Sequence, residues 1–253
     1  MFGRLFRRRG PAPDADPAEA PPGTVVYAIG DIHGRLDLLQ HLHDLIRADA
    51  GARAAARRVL VYLGDYVDRG HDSRGVIDLL LEDPPDGFER VFLKGNHEDM
   101  LLHFLAEPAD GPLWLINGGR ETLMSYGVRQ APGVGGIAFD TLRDDFARAL
   151  PPEHRDFLLR LVLTHREGDY LFVHAGIRPG VAVEAQDESD LIWIREDFLL
   201  SDRPHDQVVV HGHTPTMAPE QRANRIGIDT GAYATGRLTC LALEGTERRF
   251  LVT

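Results

Sequence analysis

A short polar turn that contains glycine follows a buried strand pattern three times near the start of the chain, and an amphipathic helix pattern follows each turn. The strand patterns cover residues 24–29, 58–63 and 90–93. Three strand–turn–helix units in about 80 residues predict an α/β sheet with parallel strands. The first helix pattern places these leucines and one isoleucine on a single face: Leu38, Leu39, Leu42, Leu45 and Ile46.

The rest of the chain has two different textures. Residues 112–161 carry mostly helical patterns, and Pro151 and Pro152 open a new helix there, so we expect a small helical cap. Beyond it the sequence is rich in strand patterns, and these predict a second sheet. The strand patterns after the cap are VLTHR, YLFVHA, QVVVHG, RIGIDT, LTCLAL and RRFLV. The fold class predicted is therefore α/β, a two-sheet sandwich flanked by helices.

The first 23 residues differ from everything that follows. The stretch begins MFGRLFRRRG, with four arginines and no acid, and continues as a linker rich in proline, alanine and acids. A secretory signal needs an apolar run where this chain has prolines, so we do not expect export. We predict a disordered tail over residues 1–23 and a single domain over 24–253. An alternative is that Phe2, Leu5 and Phe6 make a weak contact with an anionic membrane surface or a partner.

Overall charge and cysteine content exclude several classes of protein. With 253 residues and a net charge of −11, the chain is unsuited to holding nucleic acid by bulk electrostatics. Its single cysteine, Cys240, excludes an internal disulfide framework and any thiolate metal cluster. No window reaches the roughly 18 consecutive apolar residues of a membrane span. We expect a soluble, cytoplasmic protein.

Five strand ends carry polar turns with metal-binding side chains. The turns read GDIHG (30–34), GDYVDRG (64–70), GNHE (95–98), HAG (174–176) and HGHTP (211–215). Open α/β sheets bind ligands beyond the carboxyl ends of their strands, so these turns mark the candidate site. Carboxylate, imidazole and amide ligands without thiolates indicate Mn, Fe or Zn, and six of them suit two metals that share a carboxylate. The six candidates are Asp31, His33, Asp65, Asn96, His174 and His213.

In this order and spacing the motifs resemble those of the calcineurin-like metallophosphoesterases, within the phosphoprotein phosphatase superfamily. The resemblance runs from about Val25 to the end of the chain and is strongest to the short bacterial and phage Ser/Thr protein phosphatases. Stretches similar to WLINGG (114–119), IWIRE (192–196) and IDTGA (228–232) also recur in those proteins. The resemblance implies the two-sheet metallophosphoesterase fold.

The resemblance also implies how the metals are held. Asp65 would bridge the two cations, whose repulsion a shared carboxylate offsets. The first metal would be held by Asp31, His33 and Asp65, and the second by Asp65, Asn96, His174 and His213. The metals are expected to be Mn, with Fe or Zn as alternatives.

Four further residues receive catalytic roles from the same resemblance. His97 would protonate the leaving oxygen while Asp68 orients its ring, and a hydroxide bridging the metals would attack phosphorus directly, without a phosphoenzyme. Arg69 and Arg195 would grip phosphate oxygens, because a guanidinium fork matches them. Arg195 has a second interpretation, an exposed helix arginine beside acids.

Some polar residues near the motifs stay open to two interpretations. His211 lies two residues before His213, so it would point to the same face of a strand and support the site indirectly. Asn117, Gly118 and Gly119 would line the substrate entrance, or simply form a turn that ends a helix.

The resulting hypothesis is a two-metal phosphatase for phosphomonoesters, with phosphoserine and phosphothreonine on proteins as the expected substrates. A symmetric dinucleoside tetraphosphate hydrolase is the alternative; that group typically has alanine in place of Asp68 and GNHD in place of GNHE. An inactive binding scaffold is a third interpretation, which the intact ligand set opposes. Nothing resembles the SAPNY segment of the eukaryotic branch, so its regulatory partners are not expected here.

Overall fold

Two five-stranded β-sheets form the centre of the protein, whose computed structural model describes residues 17–129 and 138–253. The strands are β1 (Thr24–Ile29), β2 (Arg57–Tyr62), β3 (Glu89–Phe92), β4 (Thr164–Glu167), β5 (Tyr170–Val173), β6 (Val208–His211), β7 (Glu220–Gln221), β8 (Arg225–Gly227), β9 (Thr239–Glu244) and β10 (Glu247–Val252). The first sheet has the order β10-β9-β1-β2-β3, and the second sheet has the order β4-β5-β6-β8-β7.

The predicted parallel arrangement of the first three strands is confirmed, because β1 pairs in parallel with β2 and β2 with β3. The second sheet is also mixed, with β5, β6 and β8 parallel. The expectation that every strand after the cap joins the second sheet is wrong for the last two. β9 lies antiparallel to β1, with Val25 opposite Glu244, and β10 pairs with β9. A buried strand pattern is the same in either sheet, so the sequence pattern alone does not assign a strand to a sheet.

Helices cover the outer faces of both sheets. They are α1 (Leu36–Gly51), α2 (Ser73–Glu82), α3 (Asn96–Ala106), α4 (Gly111–Trp114), α5 (Arg120–Ser125), α6 (Phe139–Ala149), α7 (Pro152–Leu159), α8 (Glu188–Trp193), α9 (Glu196–Leu199) and α10 (Ala232–Thr235). The predicted helical cap corresponds to α4–α7, which packs on α2 and α3. Helix α7 begins at Pro152. The first N–H groups of a helix have no partner within the helix, so proline, which lacks an N–H, loses no hydrogen bond at this position.

Strand β1 lies between two hydrophobic cores, and its side chains enter one core and the other alternately. Val26 and Ala28 pack between the sheets against Phe172 of β5, whereas Val25 and Tyr27 pack under the helices of the outer face. All six residues of β1 are buried, so the strand has no solvent face and cannot shift its register without exposing one core. Within the described residues, no helix has both the length and the apolar character needed to span a membrane.

The segment just before β1 packs against the two sheets, which differs from the predicted tail over 1–23. The backbone N–H of Ala20 donates to Gly245 O at 2.9 Å, and Asp169 N–H donates to Glu19 O at 3.0 Å. Ala20 is buried in the core between the sheets. The segment before β1 consists mainly of small residues and prolines, which show no hydrophobic periodicity in the sequence. The small side chain of Ala20 is nevertheless enough to fill its position in the core. The four arginines and the suggested surface contact fall in residues 1–16, outside the described residues.

We predict that Ala20→Asp lowers the free energy of unfolding by about 1–3 kcal/mol, because a carboxylate at this position is buried without a partner. Ala54→Asp provides the matched control, since Ala54 is exposed in the loop between α1 and β2 and receives the same side chain. Urea denaturation measures both variants. Equal midpoints for the two would show that the segment before β1 contributes no packing.

Candidate metal centre

All six predicted metal ligands lie buried where strands of the two sheets end. Asp31 and His33 follow β1, Asp65 follows β2, and Asn96 opens α3 just after β3. His174 follows β5, and His213 follows β6. Because β1, β2 and β3 are parallel in one sheet, and β5 and β6 are parallel in the other, the carboxyl ends of these strands meet at one edge of the sandwich. The sheet topology thus brings together residues that are up to 182 positions apart.

Left-handed backbone is concentrated at this edge. Among the described residues, five non-glycine residues have positive φ angles: His33 (47°), Asp65 (53°), Asp68 (72°), Arg69 (66°) and His213 (66°). Each was selected from the sequence as a ligand or catalytic residue. Non-glycine residues adopt this region rarely and at a cost of about 1–3 kcal/mol, and such strain clusters at functional sites.

Two glycines let the turns approach the carboxylates. A Cβ atom added to Gly95 would overlap Asp65 Oδ1, and one added to Gly212 would overlap Asp31 Oδ1. The glycines of GNHE and HGHTP therefore serve a close approach between turns that follow different strands.

Hydrogen bonds orient two of the histidine rings toward the centre. The Nδ1 atom of His33 lies 2.9 Å from Val67 O, and the Nδ1 atom of His174 lies 2.8 Å from Leu63 O. A carbonyl oxygen only accepts, so both Nδ1 atoms carry the proton and both Nε2 atoms present a lone pair. A backbone partner that fixes the tautomer in this way is typical of metal-binding histidines.

The carboxylate of Asp65 faces both groups of nitrogen ligands. Asp65 Oδ2 lies 3.4 Å from His33 Nε2, and Asp65 Oδ1 lies 3.5 Å from His174 Nε2. Among the candidate ligands of the second metal, Asn96 Oδ1 lies 3.0 Å from His174 Nε2 and 2.9 Å from His213 Nδ1. These separations are those of neighbouring ligands around one cation, so Asp65 is placed to serve two cations at once.

Asp31 stands slightly apart from the other ligands. Its carboxylate accepts the backbone N–H of His213 at 3.0 and 3.2 Å and adjoins the buried carboxylate of Asp229. Near the candidate site of the first metal, potential metal-binding atoms of His33, Asp65 and His97 all lie within 4.8 Å of one another. Geometry alone therefore admits His97 as a ligand there, in addition to or instead of Asp31. Asp229 was not singled out from the sequence, although it belongs to the recognised IDTGA stretch.

A buried carboxylate joins two of the ligand turns. Glu98 Oε2 accepts the backbone N–H groups of Asp65 at 2.9 Å and Gly95 at 3.0 Å, and Oε1 accepts those of Tyr66 at 2.8 Å and Val67 at 3.3 Å. Burial raises the pKa of Glu98 to about 7 even with these donors. This glutamate holds Asp65 in its left-handed conformation by satisfying the N–H groups of the turn around it.

The buried carboxylates and neutral histidines of the site favour the binding of cations. Burial and the carboxylates of Asp229 and Asp65 raise the pKa of Asp31, and burial together with Glu98 raises that of Asp65. Burial lowers the pKa of His174 to about 3, so its ring is neutral and free to ligate. Ionised carboxylates buried this close together beside neutral imidazoles repel one another, and cations nearby would offset that repulsion. The residues present fit two divalent metal ions.

His97 and Asp68 form a buried pair beside these ligands. His97 Nδ1 lies 2.7 Å from Asp68 Oδ2, and His97 Nε2 has no hydrogen-bond partner among the described residues and lies 3.9 Å from Asp65 Oδ2. Two residues of the helical cap donate hydrogen bonds to the Asp68 carboxylate. Trp114 Nε1–H donates to it at 3.0 Å, and Thr122 Oγ1–H at 2.6 Å. Burial raises the pKa of Asp68 to about 8 in spite of these donors. Thr122 was not singled out from the sequence, and Trp114 appeared there only as the first residue of the WLINGG stretch, without a role.

The two predicted phosphate-binding arginines lie on different sides of the site. Arg69 Nη1 lies 2.9 Å from His33 Nε2, and its guanidinium lies 5.0 Å from the ring centre of Tyr233. Arg195 is exposed and directly precedes α9 rather than lying within it, and its Nη1 is 3.4 Å from Thr214 Oγ1. The positive charge of Arg195 is one of the causes that lower the pKa of His97. Arg195 therefore adjoins the site.

The residues that the sequence left open to two interpretations have the following contacts. The His211 ring packs edge-on against Phe198, with centres 5.1 Å apart, and its Nδ1 lies 3.1 Å from Gly212 O. Gly118 has a φ of 110°, and its carbonyl accepts the N–H of Arg69 at 3.2 Å. The turn at 117–119 thus interrupts the cap helices and anchors the turn of Arg69.

Comparison with known proteins gives consistent matches over most of the chain. The model of the calcineurin-like phosphoesterase family matches residues 24–236. A serine/threonine-protein phosphatase 1 of Salmonella typhimurium is 30% identical over 227 residues, which cover 87% of this chain and 92% of that protein. An asymmetrical bis(5'-nucleosyl)-tetraphosphatase of Anoxybacillus flavithermus is 25% identical, with 84% of this chain and 88% of that protein covered. A solved structure of a putative diadenosine tetraphosphatase shares the fold, with a TM-score of 0.62, 22% identity, and 93% and 98% of the two chains covered.

We predict that the wild-type protein binds two divalent cations per chain, and that Asp65→Asn abolishes both sites whereas Asp31→Asn abolishes one. The reason is that Asp65 faces both ligand groups, whereas Asp31 is assigned to one of them. Elemental analysis after reconstitution with Mn²⁺ and removal of excess metal gives the stoichiometry. Asp44→Asn, on the exposed face of α1, is the control. Two cations retained in Asp65→Asn would contradict the bridging assignment.

Proposed function

The chain belongs to the calcineurin-like phosphoesterase family and is a metal-dependent phosphoesterase, and on this basis we propose that it hydrolyses phosphoserine and phosphothreonine on proteins. The observation that carries the proposal is the Asp68–His97 pair, 2.7 Å apart and fully buried. A serine or threonine alkoxide is a poor leaving group that requires a proton, and an oriented histidine supplies one.

Within this proposal the ligands keep the assignment made from the sequence. Asp31, His33 and Asp65 hold one cation; Asp65, Asn96, His174 and His213 hold the other. Mn²⁺ is the proposed metal, since the ligands are oxygens and imidazoles without a thiolate. When bound, the two cations would supply Lewis acidity at the phosphoryl group and an activated water.

The remaining proposed roles belong to side chains of the chain itself. Asp68 accepts the Nδ1–H of His97, which fixes the tautomer and directs Nε2 toward the centre of the site. In the doubly protonated ring Nε2 carries a second proton, which passes to the leaving oxygen, and Nε2 is reprotonated from water before the next turnover. Arg69 and Arg195 bind phosphate oxygens from two sides, because their guanidinium groups match the geometry of phosphate.

Hydrolysis of dinucleoside tetraphosphates is the second candidate, and the similarity to an asymmetrical tetraphosphatase supports it. The buried Asp68 favours the phosphatase, because a nucleotide phosphate leaves readily and needs less protonation. Small phosphoesters are further candidate substrates. The intact ligand set opposes an inactive scaffold. We propose a cytoplasmic location, because a single cysteine suits a reducing compartment.

We predict that His97→Asn slows hydrolysis of phosphoserine peptides by about 100- to 10,000-fold but slows activated aryl phosphates much less, because aryl oxides need little protonation. The bound metal is expected to stay unchanged. His103→Asn, an exposed histidine on the same helix, is the control. Loss of a cation in His97→Asn would instead make His97 a ligand, and equal losses on both ester types would contradict proton donation.

We predict a higher kcat/KM on phosphoserine or phosphothreonine peptides than on diadenosine tetraphosphate, measured with the same metal and pH. Asp68→Asn should reduce activity more on the peptides than on the dinucleotide, since the peptides depend more on protonation by His97. A tenfold or larger preference of the wild-type enzyme for the dinucleotide, about 1.4 kcal/mol in transition-state stabilisation, would favour the nucleotide hydrolase instead.

A further inference from the structure

An exposed aromatic ring lies directly beside one of the two arginines. Tyr233 is 41% exposed, and its ring centre lies 5.0 Å from the guanidinium carbon of Arg69. The same ring meets His33 edge-on, with ring centres 5.4 Å apart and an interplanar angle of 86°. Tyr233 therefore lies between solvent and the first group of ligands.

The backbone that carries Tyr233 is firmly held. Gly231 N–H donates to Asp229 Oδ1 at 2.8 Å, and Thr235 Oγ1–H donates to Thr230 O at 2.8 Å. From the opposite side Arg35 Nη1–H donates to Ala232 O at 2.9 Å. These bonds hold the backbone of the short helix α10, from which the Tyr233 ring extends toward Arg69.

Arg69 by contrast has a long side chain with few direct restraints. Its backbone is tied to Gly118 O, and its guanidinium lies against His33 on one side and the Tyr233 ring on the other. A cation over an aromatic face gains about 0.5–2 kcal/mol, depending on how exposed the pair is. An ordered arginine loses less side-chain entropy when it binds phosphate than a mobile one does.

From this geometry we infer that Tyr233 is a positioning residue, whose ring holds the guanidinium of Arg69 in the orientation that binds phosphate. The inference rests on the phosphate role given to Arg69 in the proposed function. It assigns the effect to the aromatic ring, because the Arg69 guanidinium lies over the face of that ring. The inference identifies only the phosphate group of the substrate, and all phosphomonoesters carry that group.

The test measures inhibition by inorganic phosphate, together with KM and kcat for an aryl phosphate, in Mn²⁺-reconstituted protein with the bound metal verified. We expect Tyr233→Leu to raise the phosphate inhibition constant about three- to tenfold, which corresponds to a typical cation–π energy. Tyr233→Phe keeps the ring and is expected to stay within about twofold of the wild-type value.

A double-mutant cycle separates positioning from a general structural role. In an Arg69→Met background, Tyr233→Leu is expected to have little further effect, because the group that it orients is gone. Trp193 is the matched control, since it is 39% exposed and lies edge-on to His213, whereas the ring against Arg69 is that of Tyr233. Trp193→Leu and Arg69→Met should therefore have additive effects.

Three outcomes would overturn the inference: equal losses from Tyr233→Leu with and without Arg69, a Tyr233→Phe variant as weak as Tyr233→Leu, or an unchanged phosphate inhibition constant. A wild-type enzyme inactive on phosphopeptides would refute the protein phosphatase assignment alone. The inhibition cycle with phosphate and an aryl phosphate would still decide the role of Tyr233.

Discussion

The site depends on the capture of four backbone N–H groups by the carboxylate of Glu98. This single buried side chain joins the turn after β2 to the turn after β3, and it holds Asp65 where both of its oxygens meet histidines from different strands. A backbone N–H left unpaired in this interior would cost about 1–3 kcal/mol. The glutamate thus offsets the strain of a left-handed Asp65, which no helix or sheet hydrogen bond supports.

Glu98 also adds another buried negative charge to a region that already contains Asp31, Asp65 and Asp229. Packing these carboxylates together opposes folding, and cations relieve the repulsion. The geometry that makes the site suitable for two metals therefore makes it costly without them. Stability has been exchanged for a preformed cluster of ligands, as is common where function requires strain.

Much of this organisation was predictable from the sequence. The parallel strands follow from the repeated strand–turn–helix pattern. The six candidate ligands follow from polar turns at strand ends, where residues such as Asp65 and His213 stand in short motifs with glycine. Other features depend on contacts between distant segments. The strand at 239–244 gives no sign of which sheet it joins, Ala20 lies in a stretch that looks unstructured, and Tyr233 becomes relevant only because α10 lies beside Arg69.

The helical cap contributes to the chemistry of the site through the residues that hold Asp68. Trp114 and Thr122 approach Asp68 from the cap, whereas His97 approaches it from the strand-end turn after β3. Both donors stabilise the charged carboxylate, while burial opposes that charge. The balance sets how strongly Asp68 supports a proton on His97, and it depends on the cap. On the proposed role of His97 as proton donor, cap residues can tune that step without altering the residues that would hold the metals.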